Sequence, residues 1–412
     1  MATLLLLKFC RNLSNTNNDL LSMQVNPQLR FFLSGRTKPL EPNSKLWNLP
    51  LPVKRAITGT EADQNSSLSV TYGDYFEATD AFIKKNSYEV MLTALSCINE
   101  DIRLEQINKI NISLEKHGPF YHPSKVEAVT ENSAIPFVLN VAISKIGIEC
   151  IHKEYFTLKK LGSEFSSSFT PAVYGQDDII VRDNLQIGMF LGEWFEGYSE
   201  FHISKDPSDG KEKILIWNNL NGSLFISADK TREIYRQASM ILTFFYNVHT
   251  FEQIFPWHHA AGDFVVKQTG DSLDVKLITA RQYASLFEPK VQTKDPDLIF
   301  EGLFLFLVVL SIRMRLDRID GTGDIVWADN LSVDGTIKGF REGIKIKAKS
   351  GAIQYNFFDK FRIYLQSISE NELFELSKAI INSFNQSAPD IPIICRNIAK
   401  HSSELFHAVK NL

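Results

Sequence analysis

Eleven consecutive residues concentrate the groups able to do chemistry: Pro256-Trp257-His258-His259-Ala260-Ala261-Gly262-Asp263-Phe264-Val265-Val266. An imidazole titrates near neutral pH and can take or give a proton. A carboxylate can hold a cation or a nucleotide, and Gly-Asp before an apolar run is how a loop enters a strand. His258 and His259 are adjacent, so on extended backbone they point to opposite faces and only one can serve a given centre. The plainer alternative is one buried imidazole fixing the loop and one exposed. For Asp263 the plainer alternative is a cap at the start of the strand.

The surrounding elements are arranged to mount this loop. The stripe Ile234, Ala238, Ile241, Leu242, Phe245 and Val248 predicts a helix over 231–249, capped by Asp229 and leading into the loop. A second apolar strand, Val275 to Thr279, follows it. Upstream, Ile107 to Leu114, Lys125 to Val129 and Phe137 to Ile143 read as an antiparallel meander. The turn Lys116 to Pro123 has one glycine and two prolines, which suits a rigid hairpin cap better than an anion nest. Ile148 to Leu161 reads as a helix, with Glu154 either functional or on a solvated face. Strands are expected at Ala172 to Tyr174, Ile179 to Val181 and Ile187 to Leu191, and Lys205 to Lys213 reads as an exposed charged insertion.

Before the meander, 1–70 reads as an extended leader with a small docked element near Leu29 to Leu33. Residues 71–104 read as a helical extension, broken near Asn86-Ser87. Beyond the loop, Leu298 to Arg315 reads as a buried helix, and Ser369 with Glu372 as a capping box. Lys345, Lys347 and Lys349 alternate and read as one face of an exposed strand.

The bulk composition narrows the class. The chain has 412 residues, 44% hydrophobic and 22% charged, so more than one core is expected in an ordinary globular protein. A net charge of -4 argues against a protein built to hold nucleic acid. The cysteines Cys10, Cys97, Cys150 and Cys395 lack CxxC spacing and read as free thiols. The apolar start is too short for a secretory signal, and the 298–312 run is too short to span a bilayer. A cytoplasmic protein with neither a membrane nor a nucleic-acid partner is expected.

Three antiparallel strands, a helix, further strands, a linker, a long helix, a loop between short strands and then helices: this order resembles the protein-kinase-like fold. It is most similar to the aminoglycoside phosphotransferase and choline kinase branch, over Ile107 to Arg315. The resemblance implies an α+β bilobal molecule with an antiparallel-sheet N-lobe at 105–195 and a mainly helical C-lobe at 196–412. It also implies ATP and magnesium as cofactors, and an unknown small-molecule or protein acceptor.

Residue by residue, Asn140 stands where the family's strand lysine holds the nucleotide phosphates. Glu154 stands where the helix glutamate pairs with that lysine. Leu191-Gly192-Glu193-Trp194 resembles the adenine-binding linker, which implicates Glu193 and Trp194 in nucleotide binding. Gly262-Asp263 matches the metal-binding end of the catalytic loop, so Asp263 is the implied metal ligand and His258 replaces the catalytic aspartate. Thr279 occupies the place of the second metal carboxylate. The leading expectation is therefore a divergent kinase-like protein that binds a nucleotide between two lobes and transfers a phosphoryl group. The alternatives are an inactive pseudokinase scaffold, or a metal-dependent hydrolase using His258 or His259 with Asp263 and Asp274.

Overall fold

The structure is a computed structural model that describes residues 26–42, 44–52, 69–118, 120–217, 222–257, 259–285, 287 and 292–412. Its sheet-rich part begins with β1 (Gln28–Leu33) and, after a helix, β2 (Lys109–Leu114), β3 (Ser124–Val129) and β4 (Ala134–Ala142). Strict alternation in β2 buries Ile110, Ile112 and Leu114 on one side, as a half-buried strand requires. The expected meander forms, with Ile112 opposite Val126 and Val126 opposite Phe137. β5 (Val173–Val181) and β6 (Leu185–Glu193) complete a six-stranded sheet in the order β1-β2-β3-β4-β6-β5. β1 joins it parallel to β2, with Phe31 opposite Ile112.

Two strands were expected within 172–181, and the chain makes one. Its polar centre stays extended because Asp177 meets Lys85 while Asp178 meets His152 and Gln186.

Both faces of the sheet carry apolar residues, so both must be covered. One face is covered by α1 (Tyr72–Ile98), capped reciprocally by Thr71 and Asp74. Asp74 is buried and bonded by Arg182 Nη2 at 2.7 Å. Lys85 to Tyr88 leave helical geometry, at the Asn86-Ser87 break read from the sequence. Tyr75, Phe76, Phe82, Ile83 and Met91 pack on Ile112, Val126, Leu139, Val141 and Met189, together with Trp47 and Leu51. Residues read as leader and extension therefore supply part of the sheet's own core. The opposite face receives α2 (Lys145–Glu164), capped by Ser144.

The remaining elements are mainly helical. A small sheet of β7 (Phe201–Lys205), β8 (Glu212–Ile216) and β9 (Leu224–Phe225) precedes α3 (Ala228–Phe245). The charged insertion is the turn between β7 and β8. α3 starts three residues earlier than expected, because Ser227 rather than Asp229 accepts the first free N–H, from Lys230. Then follow β10 (Glu252–Ile254), α4 (Ala260–Asp263), β11 (Phe264–Thr269), β12 (Ser272–Leu277), β13 (Tyr283–Ser285) and the buried α5 (Pro296–Arg313). β14 (Leu316–Arg318), β15 (Ile325–Trp327), α6 (Leu331–Lys349), α7 (Phe357–Ser367), α8 (Glu370–Ser383) and α9 (Ile391–Lys410) end the chain. The Ser369/Glu372 capping box starts α8 as expected.

α6 corrects the strand expected at Lys345 to Lys349. Alternation over five residues was overruled by a longer helical pattern, Val333, Ile337, Phe340 and Ile344, all buried. Gly335, Gly339 and Gly343, four apart, lie against α3 backbone; a Cβ on Gly339 would sit 1.9 Å from Arg236 O. Among the described residues, no helix is long and apolar enough to cross a membrane.

Candidate functional site

The α2-facing side of the sheet is set by β4. Phe137, Leu139 and Val141 point toward α1, so Val138, Asn140 and Ala142 point the other way. Asn140 is half-buried, opposite Phe190, and its side chain bonds no described residue. Lys125 of β3 lies opposite Val138 and therefore shares that face. Its Nζ is 5.5 Å from the centre of the Trp194 ring and 2.9 Å from Glu127 Oε1. Glu193 is tied to the start of β5: its N–H donates to Ala172 O at 2.8 Å, and its Oε2 accepts the Ala172 N–H at 3.1 Å.

Glu154 sits on the buried stripe of α2, one turn from Ile151 and Leu158, and is only 2% exposed. Its Oε1 accepts the Ala280 N–H at 3.0 Å. Its Oε2 is buried and has no hydrogen bond of normal geometry among the described residues. Burial pushes its pKa up; the Tyr121 hydroxyl, the Arg281 guanidinium and the Ala280 N–H pull partly back.

Tyr121 comes from the turn between β2 and β3, which folds down onto α2. A Cβ on Gly147 would meet Phe120 O at 2.7 Å, and His122 N–H donates to Val141 O at 2.7 Å. Burial raises the Tyr121 hydroxyl far above its ordinary range, and the neighbouring Glu154 charge adds to the shift. In the same turn His117 and His122 bring their Nδ1 atoms to 2.9 Å. Burial, then the His117 imidazole, lowers His122 to about 4.

The loop reaches this cluster through the β11–β12 ladder. With Phe264 opposite Leu277, Asp263 falls beside 278–281, and Ile278 N–H donates to Asp263 O at 2.9 Å. Arg281 Nη1 is 2.9 Å from Asp263 Oδ1 and 3.3 Å from Pro256 O. Burial alone would lower the Arg281 pKa; the Asp263 and Glu154 carboxylates outweigh it and hold the guanidinium above its ordinary range. Asp263 is 2% exposed. His259 is extended at φ -142° and ψ 146° and precedes α4. His258 lies outside the described residues.

The fold thus gathers Glu154, Asp263 and the 279–281 segment around one guanidinium, with Tyr121 beside them. Asn140, Glu193 and Trp194 belong to the sheet side. Two cations were missed from sequence. Lys125 was readable from the alternation of β3, whereas Arg281 depended on the ladder register.

The donor set fits a magnesium ion poorly. Asp263 is already ion-paired, Thr279 offers no carboxylate, and among the described residues no group of three His, Cys, Asp or Glu could hold a metal. Asp274 is exposed on β12, bonded by the Tyr198 hydroxyl and 3.5 Å from Lys276 Nζ. Three ladder steps, roughly 10 Å, separate it from the Phe264 end, so it does not join Asp263.

No family model matches the chain, and no curated protein matches it. Among solved structures, one described as "WaaP in complex with acyl carrier protein" aligns over 59% of this chain and 83% of its own, at 7% identity and a TM-score of 0.28. A likeness at that score carries no argument about fold or activity.

Proposed function

We propose that the chain is a divergent kinase-like protein whose sheet-rich and helical parts act as two lobes and bind a nucleotide between them. One observation carries this reading. Glu154 of α2 accepts from Ala280 while Arg281 pairs with Asp263, so the helix carboxylate, the loop and the segment after β12 meet at one place. In this reading Lys125 and Arg281 supply the positive charge toward phosphates that Asn140 cannot, and Glu193-Trp194 forms the base edge. The acceptor of any transferred phosphoryl group is an unidentified small molecule or protein.

A thermal-shift titration with ATP tests the reading, since a ligand that binds only the folded state stabilises it by about 2.7 kcal/mol at one hundred times its dissociation constant. The expected result is a shift that persists in EDTA and shrinks in Lys125→Met. No shift at millimolar ATP, with or without magnesium, would sink it.

The second reading, an inactive pseudokinase scaffold, is supported by the pairing already present in the cleft. Arg281 is engaged by Asp263, and Tyr121 is seated beside Glu154. Nucleotide binding without phosphoryl transfer to any acceptor would select it.

A further inference from the structure

The feature the cleft does not absorb is a row of cations on α6. Lys338, Arg341, Lys345 and Lys349 are all exposed. Their spacings of three, four and four put them on one face of a 3.6-residue helix, in a row about 16 Å long. None pairs with a carboxylate among the described residues; Arg341 instead lies 5.5 Å from the centre of the Phe358 ring. The two acids bordering the row are turned to α3, Glu342 to Arg236 and Asp334 to Arg232 at 3.9 Å. Lys347, inside the same lysine run, is buried and takes no part. Six residues beyond Lys349, in the turn before α7, Tyr355 is 90% exposed, the highest value among the described large hydrophobic residues.

Four like charges in an unneutralised row repel one another, and an opposing sheet of anions removes that repulsion. A straight helix face presents its charges to a plane. An exposed tyrosine, apolar in body and polar at its tip, is the side chain that settles at a membrane–water interface. The chain's net charge of -4 argues against nucleic acid as the polyanion.

We propose that the Lys338–Arg341–Lys345–Lys349 face of α6, with Tyr355, is a peripheral docking surface for a membrane carrying anionic lipid headgroups. This departs from the sequence expectation of no membrane partner. It is independent of nucleotide binding in the cleft and compatible with the absence of a spanning helix among the described residues.

Sedimentation of the full chain with phosphatidylcholine vesicles, with and without phosphatidylserine, tests it. Binding should require phosphatidylserine and weaken as salt is raised, because surface attraction decays within a Debye length. Each basic residue near an anionic surface contributes about fivefold in partitioning, so Lys345→Gln with Lys349→Gln should lose about 25-fold. Tyr355→Ser should weaken binding while leaving its salt dependence unchanged. The same double exchange at Lys84 and Lys378, which lie on other helices, should change nothing. Equal binding to neutral vesicles, no salt effect, or an unchanged double variant would overturn the proposal. Tighter salt-sensitive binding to polyglutamate or single-stranded DNA than to the charged vesicles would also overturn it, in favour of an acidic protein or a nucleic acid. The salt series on the unaltered chain decides the matter even if a variant fails to fold.

Discussion

Replacing Arg281 by methionine removes a guanidinium that faces two buried carboxylates, and the energetic result can be worked from the geometry. Asp263 and Glu154 are each 2% exposed, and the Asp263–Arg281 contact is 2.9 Å. Breaking a buried pair by deleting one partner destabilises by about 3–5 kcal/mol, mostly because a charge is left uncompensated. The Arg281 side chain keeps 28% exposure, so water screens part of the pair and the lower end, about 3 kcal/mol, applies. Asp263→Asn leaves Glu154 beside the guanidinium and should cost less, about 1–2 kcal/mol. In the double variant the Asp263 charge is gone and only that of Glu154 stays uncompensated, so the two losses must not add. Urea unfolding of all four proteins at pH 7 should give a coupling of about 1.5 kcal/mol or more. The Arg281→Met deficit should also narrow as the pH falls, because burial already pushes the Glu154 carboxyl up and its protonation removes that uncompensated charge. Additivity within about 0.5 kcal/mol, the behaviour of independent sites, would refute the view that this pair holds the loop to the 278–281 segment.

Two further outcomes follow from α6. Gly339→Ala places a Cβ 1.9 Å from Arg236 O and 2.9 Å from Met240 N, backbone atoms that cannot swing aside. A loss of about 3 kcal/mol or more in urea unfolding is expected, against a gain of up to about 1 for an exposed helical glycine with open space such as Gly162 of α2. Lys347 donates to Phe244 O at 2.6 Å and pairs with no carboxylate among the described residues, and burial lowers its pKa to about 8 from 10.5. A depressed lysine pKa means the unfolded chain holds the proton more tightly. The penalty is therefore complete below pH 8, relieved between pH 8 and 10.5, and worth about 3 kcal/mol. After the lost hydrogen bond, of about 1 kcal/mol, Lys347→Met should be roughly 2 kcal/mol more stable at pH 7. That advantage should disappear as pH approaches 10.5; a pH-independent difference between variant and parent would contradict the assignment.

What could be read from the residues was what local patterning controls. The meander, the break at Asn86-Ser87, the stripe of α3 and the Ser369 cap all depend on neighbours within a few positions, and all are present. Glu154 stands out through the family resemblance and otherwise reads as a solvated face, although its place among Ile151, Tyr155 and Leu158 puts it on the face that α2 buries. What escaped depends on distant partners. β1 pairs with β2 across an intervening helix, and nothing in Gln28–Leu33 names Ile112 as the residue opposite Phe31. Arg281 acquired its role from the register that sets Phe264 against Leu277, which one strand read alone does not contain. At Lys345 to Lys349 a five-residue alternation imitated a strand, and only the apolar spacing farther back in α6 revealed the helix.

The coverage of the sheet by α1 has a consequence for the order in which the chain is made. α1 ends at Ile98, whereas Ile187, Met189 and Leu191, which complete the core it packs against, lie in β6, ending at Glu193. At about 5–20 residues per second of synthesis, the interval is on the order of ten seconds. Throughout it Tyr75, Phe76, Phe82, Ile83 and Met91 exist without their full set of partners. A ribosome paused shortly before Leu185 would therefore hold a nascent chain with a large apolar helix face on offer, a natural substrate for a holding chaperone. Synonymous codons that slow translation across 99–193 should lower soluble yield, while the same slowing placed after Glu193 should not.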